Sequence, residues 1–543
     1  MSTPHAATPN AQSRMSRWIP LGVGSWLLGV VVVSGCGPSP AANDDIIRVV
    51  IRAAPANFDP RIGTDEQSQR VHQLVYDYLL VIDQNLRVGA GGNALAERLD
   101  NPDPLTYIVH LRHGVKFHDG RELTAKDVVY TFASFLDPDF VSARKGAFQQ
   151  MKSVAALDDH TVEFKLKEPF GSFPMQLVLH VVPDGGGDGL RTFPVGTGPY
   201  RFLRYVVDEQ VELTAFEGYW DGLPQNAGVT LRIIPDETMR GLELRKGSAD
   251  VTVNDVSPDL AHVLEKDGLK IAQAPGVDYA YVGLNMRDPV LKDKRVRQAL
   301  SYAVNRQAIV DYLRRGLAIP AVGVLSPITW AFEPQVERFS YNPARAKQLL
   351  DEAGYRDPDG DGPQPRLRLT MKTSTDEFFR IQATVLQQDL RAIGVDVDVR
   401  SYEFATFYAD VLNGNVQMYT LQWVGVTDPD MLRRVYHSDQ VPPSGFNRTY
   451  YKNPEADRLI DLATRATTDG ERLKYYREAQ KVIAEDAPYI SLWTKTNIAV
   501  TRSNIQNVRL TPQASFWTLK DVKKVAPYGP GRTGPSDSGS QRN

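Results

Sequence analysis

Cys36 is the only cysteine among the 543 residues of the chain. A single thiol cannot form a disulfide within the chain, so three roles remain for it: a buried thiol without chemistry, a reactive nucleophile, or a site of covalent modification. The residues around Cys36 decide between these roles, because a modified cysteine needs a sequence that directs the modification.

The residues before Cys36 follow the order of a secretory signal peptide. Positions 1–35 contain two arginines and no acidic residue, then an apolar run at 19–33, then two small residues. The apolar run is shorter than the roughly 20 residues of a membrane-spanning helix, which argues against a permanent span. The segment "VSGC" resembles the lipobox of bacterial lipoproteins, in which the cysteine is lipidated and becomes the first residue; a plain signal peptide with an incidental cysteine is the alternative. Translation from Met15 instead of Met1 would produce a signal of more ordinary length.

Histidine and aspartate groups suggest metal sites at first sight. His110 and His113 fall on opposite faces of a predicted strand, because an odd spacing reverses the side chain, so a site shared with His118 needs a distorted strand. The segment "DPDGDG" at 357–362 resembles the start of a calcium loop, but Arg368 stands where an EF-hand has its glutamate. We therefore expect surface or structural histidines, a turn at 357–362, and no metal.

Motifs of common enzymes are missing from the sequence. We find no phosphate-binding Gly-rich loop with Lys and Ser or Thr, no His-Glu-x-x-His helix, and no Gly-x-Ser-x-Gly elbow. The sequence therefore predicts a protein that is not an enzyme and needs no cofactor. A lipid-anchored enzyme with an unfamiliar active site is the alternative from a different class.

Composition narrows the range of partners. Apolar residues make up 42% and charged residues 23% of the chain, as in ordinary globular proteins. The net charge is −3, and removal of positions 1–35, with two arginines and no acids, makes it −5. Without a basic stretch we expect no nucleic-acid binding. The length is sufficient for two or three domains with their own cores.

Hydrophobic periodicity predicts mixed α and β structure in the body of the chain. The order strand, helix, strand at 366–402 predicts a right-handed parallel crossover and a covered sheet. The predicted strands are 44–55, 105–118, 366–372, 395–402 and 489–500, and the predicted helices are 125–136, 293–316, 376–393, 453–466 and 471–486.

Several long segments together resemble the solute-binding proteins of ABC importers, in the dipeptide- and oligopeptide-binding branch that also includes nickel and sugar binders. The segments are "LTYIVHLRHGVKFHDGRELTAKDVVYTFASFLDP", "PVGTGPYRF", "GLNMRDPVLKDKRVRQALSYAVNRQAIV" and "YYREAQKVIAEDAPYISLW". The resemblance extends from about Ile47 to about Trp517. It implies an α/β, two-lobed clamp of the periplasmic-binding-protein type with an extra subdomain on the first lobe. It also implies a monomer whose closed form is recognised by an ABC permease with its ATPase subunits.

The resemblance implies the following organisation. The chain is expected to cross between the lobes near 283–285 and 490–493. The boundaries are a lipoprotein signal peptide (1–35), a flexible leash (36–45), lobe I in three parts (46–74, 191–283 and 488–525), the extra subdomain (75–190), lobe II (284–487) and a disordered tail (526–543).

The sequence departs from the family's pattern at two places. In peptide-binding members a Trp is followed three residues later by an Asp, whose carboxylate pairs with the ligand's α-ammonium group. Here Trp423 is followed by Val426, which cannot balance a buried charge. Asp428 or Asp430 is its substitute, or Asp428 caps a turn. Dipeptide-specific members carry an Arg for the ligand carboxylate where this chain has Thr373, so we expect no strict dipeptide binder.

We therefore predict an extracytoplasmic, lipid-anchored binding protein that delivers peptides, oligopeptides rather than dipeptides, to an importer. The alternatives are a non-peptide solute, such as a sugar, an opine-like compound or a nickel complex, and a family member repurposed as a sensor or chaperone. Core packing is the alternative role for each aromatic residue of the site. The predicted ligand contacts are Trp423, Val424, Gly425, Val426, Asp428, Tyr279, Tyr281, Asn285 and Thr373.

Overall fold

The computed structural model describes residues 45–360 and 362–525. The predictions for Cys36, the signal peptide, the leash up to residue 44 and the tail at 526–543 lie outside these residues.

The strands are β1 (Ile46–Ile51), β2 (Val81–Ile82), β3 (Val88–Gly89), β4 (Ala96–Asp103), β5 (Thr106–Leu111), β6 (Met151–Asp158), β7 (Thr161–Leu166), β8 (Tyr200–Val206), β9 (Gln210–Ala215), β10 (Gly228–Ile233), β11 (Val251–Val253), β12 (Lys270–Leu284), β13 (Ala318–Pro320), β14 (Leu367–Ser374), β15 (Val395–Tyr402), β16 (Met418–Trp423), β17 (Tyr489–Thr501), β18 (Ile505–Gln506) and β19 (Lys523–Lys524). The α-helices are α1 (Glu66–Val75), α2 (Ala125–Ala133), α3 (Phe173–Gln176), α4 (Glu237–Lys246), α5 (Pro258–Lys266), α6 (Lys294–Ala303), α7 (Arg306–Ala308), α8 (Pro343–Glu352), α9 (Glu377–Arg391), α10 (Phe404–Asn413), α11 (Met431–Tyr436), α12 (Pro454–Arg465) and α13 (Asp469–Asp486).

Two long strands connect the two lobes of the clamp. The main sheet has the strand order β15-β14-β16-β12-β17-β11-β1-β10-β9-β8, with β13 also paired to β17. Strands β12 and β17 pair antiparallel from Lys270 opposite Thr501 to Gly283 opposite Tyr489. The two ends of β17 pack into different hydrophobic cores. Val500 belongs to the core of lobe I, and Leu492 belongs to the core of lobe II. The lobes therefore share one continuous pair of strands.

The crossing between the lobes falls at an irregularity of this pairing. Pro275 pairs with Thr496 and Tyr279 with Thr494, so the three residues of β12 between them face Lys495 alone. We expected the first crossing at 283–285, but Ala280, Val282 and Leu284 already pack in the core of lobe II. The crossing therefore comes earlier in β12 than the sequence predicted, at a bulge formed by residues 276–278.

The predicted parallel crossover in lobe II is confirmed. Strand β14 pairs parallel with β15 from Leu367 opposite Val395 to Ser374 opposite Tyr402, and α9 connects them. Strand β14 also pairs parallel with β16. The carboxyl ends of β14, β15 and β16 therefore meet at one edge of the sheet.

The predicted helix at 293–316 is wrong as a single element. Helix α6 stops at Val304, which has extended backbone, and the side chain of Asn305 caps a new, short helix. Past the break, the buried Arg306 guanidinium donates hydrogen bonds to carbonyl oxygens of Ser301 and Phe339. A continuous helix would carry this guanidinium away from those carbonyl groups, so tertiary contacts override the helical periodicity.

The extra subdomain predicted at 75–190 contains its own antiparallel sheet, with the strand order β4-β5-β7-β6 and a core that includes Phe132 and Phe164. His113 packs against His160 with ring centroids 3.8 Å apart, and the buried His118 donates to the Gly198 carbonyl oxygen at 3.0 Å, so these histidines make structural contacts. In the described part of the chain, no group of three or more His, Cys, Asp or Glu side chains could hold a metal ion.

Candidate functional site

The carboxyl edge of the lobe II sheet lies next to the crossing between the lobes. Thr373 and Ser374 end β14, Tyr402 ends β15, and Trp423 ends β16. Trp423 pairs with Tyr279, the first regularly paired residue after the bulge in β12. In open α/β sheets, ligands bind beyond the carboxyl ends of the strands. This edge is therefore our candidate ligand site.

The bulge holds the loop that follows Trp423. The Val426 N–H donates to the Val277 carbonyl oxygen at 3.2 Å, and the Gly425 N–H donates to Asp278 Oδ1 at 3.0 Å. Gly425 has a φ of 69°, a conformation that favours glycine. The Val424 side chain is 76% exposed. Val424 and Gly425 are thus the exposed residues of this loop beside the crossing.

Val426 points away from this exposed surface. Its side chain is 2% exposed and lies in a core cluster with Leu432, Tyr436 and Leu421. A carboxylate at this position would enter an apolar core, which explains why a valine fits here.

Trp423 carries a buried cation on its ring. The Arg448 guanidinium lies 4.3 Å from the Trp423 ring centroid and donates to Tyr408 Oη at 2.8 Å. Arg448 is 4% exposed and has no carboxylate within 4.0 Å in the described part of the chain. Sequence reasoning missed Arg448, since no local motif marks it and only the fold brings it to Trp423.

Three other predicted residues have structural roles in the lobe II core. Tyr279 and Tyr281 are almost fully buried with parallel rings 5.6 Å apart, and Tyr279 Oη hydrogen-bonds Ser491 Oγ at 2.7 Å. Asn285 donates to the Val416 carbonyl oxygen at 2.7 Å. Because Leu284 pairs with the first residue of β16, Asn285 lies at the end of the strand pair away from Trp423. The structure therefore does not bring Asn285 to the candidate site.

Asp428 joins the extra subdomain to lobe II. Its Oδ1 accepts the Asp430 N–H at 2.6 Å, which caps the turn, and the Ser172 hydroxyl at 3.3 Å. Ser172 Oγ in turn accepts from Arg472 Nη2 at 2.9 Å. Burial raises the pKa of Asp428, although the charge of Arg472 opposes this. The carboxylate is thus engaged in the contact between the subdomain and lobe II.

At the end of β14, Thr373 is fully buried, and its Oγ1 has no hydrogen-bond partner among the described residues. The neighbouring Lys372 Nζ binds Asp410 Oδ2 at 2.7 Å.

A cavity of about 470 Å³ lies between the subdomain and lobe II, near Phe170 and Arg434. None of the predicted site residues lines this cavity.

Comparisons with known proteins place the chain in a family. The model for bacterial extracellular solute-binding proteins, family 5 Middle, matches residues 92–441. The oligopeptide-binding protein AppA of Bacillus subtilis is 31% identical over 490 residues, which cover 86% of this chain and 89% of AppA. The chain belongs to the family 5 extracellular solute-binding proteins.

Other members support the same fold for this solute-binding protein. The glutathione-binding protein GsiB of Pectobacterium atrosepticum is 31% identical over 512 residues, covering 90% of this chain and 96% of GsiB. The structure of AppA from Bacillus subtilis in complex with a nonapeptide has a TM-score of 0.70 at 30% identity and covers 88% of this chain and 99% of that one. NikZ from Campylobacter jejuni in complex with Ni(L-His) has a TM-score of 0.73 at 26% identity, covering 89% and 100%.

Membership of this family establishes the general role and the fold of the protein. It is an extracytoplasmic substrate-binding protein of an ABC importer, not an enzyme, and it has the two-lobed clamp fold. None of the helices in residues 45–360 and 362–525 is both long enough and apolar enough to cross a membrane.

Proposed function

We propose that this solute-binding protein binds peptides between its lobes and delivers them to the permease. The observation that carries the proposal is the exposed backbone of Val424 and Gly425 beside the crossing. An extended peptide can be held there through backbone hydrogen bonds, so affinity does not require particular ligand side chains. AppA, whose name and structure refer to oligopeptide and nonapeptide binding, supports a peptide ligand.

The ligand is longer than a dipeptide in this proposal. Thr373 occupies the position of the carboxylate-binding Arg of dipeptide binders, and the adjacent Lys372 is paired with Asp410. Thr373 carries no charge and the Lys372 ammonium group is already paired, so neither residue offers a free cation to a dipeptide's carboxylate. We retain Trp423, Val424 and Gly425 as ligand contacts, whereas the Val426 side chain faces the core.

The proposal includes the location of the protein. Cleavage after residue 35 and lipidation of Cys36 would hold the soluble body at the membrane through the leash, close to the permease. The protein acts as a monomer in this scheme, with lobe I, the extra subdomain and lobe II, and with the first crossing at the bulge formed by residues 276–278.

Native mass spectrometry of the mature chain, purified without refolding, tests the peptide ligand. We expect a ladder of bound masses that fit peptides of mixed sequence, and we expect a Trp423→Ala variant to lose it. A single non-peptide mass or a metal complex would contradict the proposal and assign the cleft to another solute, as the Ni(L-His) complex of NikZ illustrates for that protein.

A further inference from the structure

Seven charged side chains surround the crossing, and we call them the crossing cluster. They come from lobe I, from the two crossing strands and from lobe II, and their electrostatic interactions connect them into one group. The members are Arg52, Glu66, Arg70, Asp255, Asp278, Arg314 and Lys495.

The four members in lobe I neutralise one another. Arg70 forms ion pairs with Asp255 at 2.5 Å and with Glu66 at 2.8 Å, and Arg52 also reaches both carboxylates. Burial would raise the pKa of Glu66, but Arg70, Arg52 and Lys495 together lower it. Two cations thus balance two carboxylates on this side.

The remaining three members are not balanced. Lys495 Nζ lies 3.7 Å from Asp278 Oδ2, beyond hydrogen-bond distance, and makes no hydrogen bond to the described residues. The Arg314 guanidinium lies over aromatic rings, 4.5 Å from the Trp493 ring centroid and 5.3 Å from that of Phe378. Among the described residues it has no carboxylate or hydrogen-bond partner, and its Nε is fully buried. Asp278 already accepts from the Gly425 N–H and from Gln422 Nε2. Two cations therefore share one carboxylate that is partly occupied.

Burial makes this imbalance costly. Lys495 is 22% exposed in its side chain, and Arg314 is 9% exposed. Burial lowers the pKa of Lys495, with Asp278 and Glu66 opposing, and lowers the pKa of Arg314 to about 10, with Asp278 opposing. An unpaired buried charge costs several kcal/mol, and an ammonium with a guanidinium offers up to about eight N–H donors. An incoming anion would supply the missing partner.

Among the described residues, the positions predicted to meet a ligand cation near Trp423 offer it no free carboxylate. Val426 is apolar and buried, Asp428 is engaged by Ser172, and Arg448 adds another cation beside Trp423 without a carboxylate partner in the described part of the chain. The positions that would meet an α-ammonium group are thus apolar, occupied or cationic.

We propose that Lys495 and Arg314 bind a carboxylate of the ligand at the crossing, so that the ligand is oriented by its acid group and not by an α-ammonium group. This inference rests on the proposed function and specifies the chemistry of the same site. The bulge makes the arrangement possible, because a Cβ on Gly276 would lie 2.5 Å from the Lys495 carbonyl oxygen. Closure of lobe I over the site would then bury the carboxylate against both cations.

Three pools of random tri- to hexapeptides test the proposal: one unmodified, one N-acetylated and one C-amidated. The full mature chain is mixed with each pool, and the retained masses are measured by native mass spectrometry. We expect retention from the unmodified and acetylated pools and loss of roughly tenfold or more from the amidated pool. Retention from the amidated pool equal to or above that from the acetylated pool overturns the inference while leaving peptide binding intact. No retention from any pool overturns the proposed function instead.

Two variants probe the groups directly. Lys495→Met should lower retention from the acetylated pool roughly tenfold, whereas Lys270→Met, on the same strand pair, should leave it unchanged. Asp278→Asn keeps an acceptor for the Gly425 N–H and removes the competing carboxylate, so retention from the acetylated pool should rise. A fall in retention from the unmodified pool but not from the acetylated pool, in an Asp278→Asn variant with an unchanged circular dichroism spectrum, would show that Asp278 receives the ligand's α-ammonium group and would overturn the inference. If Lys495→Met does not fold, Arg314→Met replaces it in the same comparison.

Discussion

The Gly171 N–H in the extra subdomain donates a hydrogen bond to the Thr464 carbonyl oxygen in lobe II at 2.9 Å. Nearby, Ser172 binds Asp428, and Arg87 of the subdomain pairs with Asp469 of lobe II. These contacts join two parts of the molecule that a hinged clamp moves relative to one another. They therefore stabilise the arrangement of the subdomain relative to lobe II.

Gly171→Ala should weaken this contact. An added Cβ would lie 2.6 Å from the Ala466 carbonyl oxygen and 3.3 Å from that of Thr464, so the subdomain must move away from lobe II. We expect a several-fold higher Kd for the bound ligand and a larger radius of gyration in small-angle scattering. Gly189→Ala is the control, because a Cβ there meets no atom within 4 Å. Equal effects of both changes would contradict a role for the contact.

Val426→Asp should destabilise the fold and not restore ammonium binding. The side chain at 426 is buried, so a carboxylate there loses its hydration and lowers the free energy of unfolding by roughly 2–4 kcal/mol. Urea unfolding measures the change. Val424→Asp provides a control two residues away, since that side chain is 76% exposed and the change should be within about 0.5 kcal/mol. Unchanged stability of Val426→Asp, with higher affinity for free amino groups, would show that residue 426 faces the ligand.

Ligand binding should change the fluorescence of Trp423. Its half-buried ring borders the exposed loop 424–426, so a ligand or lobe I closing over the loop alters the ring's surroundings. Trp423→Phe should remove most of the ligand-induced change in emission and lower the affinity, whereas Trp517→Phe, outside the site, should retain both. A change that persists in Trp423→Phe would locate the ligand elsewhere.

His118 should make stability depend on pH. Burial lowers the pKa of His118 to about 4, and the hydrogen bond to the Gly198 carbonyl oxygen opposes this only in part. The folded state therefore holds neutral imidazole, which the Gly196 N–H also requires as an acceptor at Nδ1. A lowered folded pKa contributes stability above the unfolded value of about 6.5, and this stability is lost as pH falls toward 4.

The measurement compares unfolding free energies of wild type and His118→Gln at pH 7 and pH 5. The difference in favour of wild type should shrink by about 2 kcal/mol between these values. His262→Gln is the control, because that side chain is 57% exposed, and its difference should stay constant. A constant difference for His118→Gln as well would mean that the folded protein accepts a charged imidazole at this position.

Cys36→Ser should release the protein from the membrane. The lipobox-like segment before Cys36 predicts an acyl anchor, and serine cannot accept it. We expect wild type in the membrane fraction with an amino-terminal mass that includes lipid, and the variant in the soluble extracytoplasmic fraction. Equal soluble fractions without a lipid mass would favour a plain signal peptide.

The local regularities of the chain determined much of the fold. The pattern at 366–402 predicted the crossover of β14, α9 and β15, and the long segments from 105 to 493 indicated the family that the comparisons confirm. Strand and helix periods depend on residues a few positions apart, so the sequence displays them directly. At Val304, by contrast, the contacts of the buried Arg306 beyond the break, and not the helical pattern, decide where the helix ends.

The sequence by itself indicated the family and its clamp fold, which the comparisons confirm, and it predicted Trp423 as a ligand contact. Only the tertiary structure decided that Val426 faces the core, that Asn285 lies at the far end of its strand pair, and that Asp278 and Lys495 meet across a bulge. Asp278 and Lys495 are more than 200 residues apart in the chain, and no periodicity connects such positions. The fold brings distant segments together and thereby determines which charged side chains form ion pairs. The charges that remain without an ion-pair partner determine which ligand groups the cleft can bind.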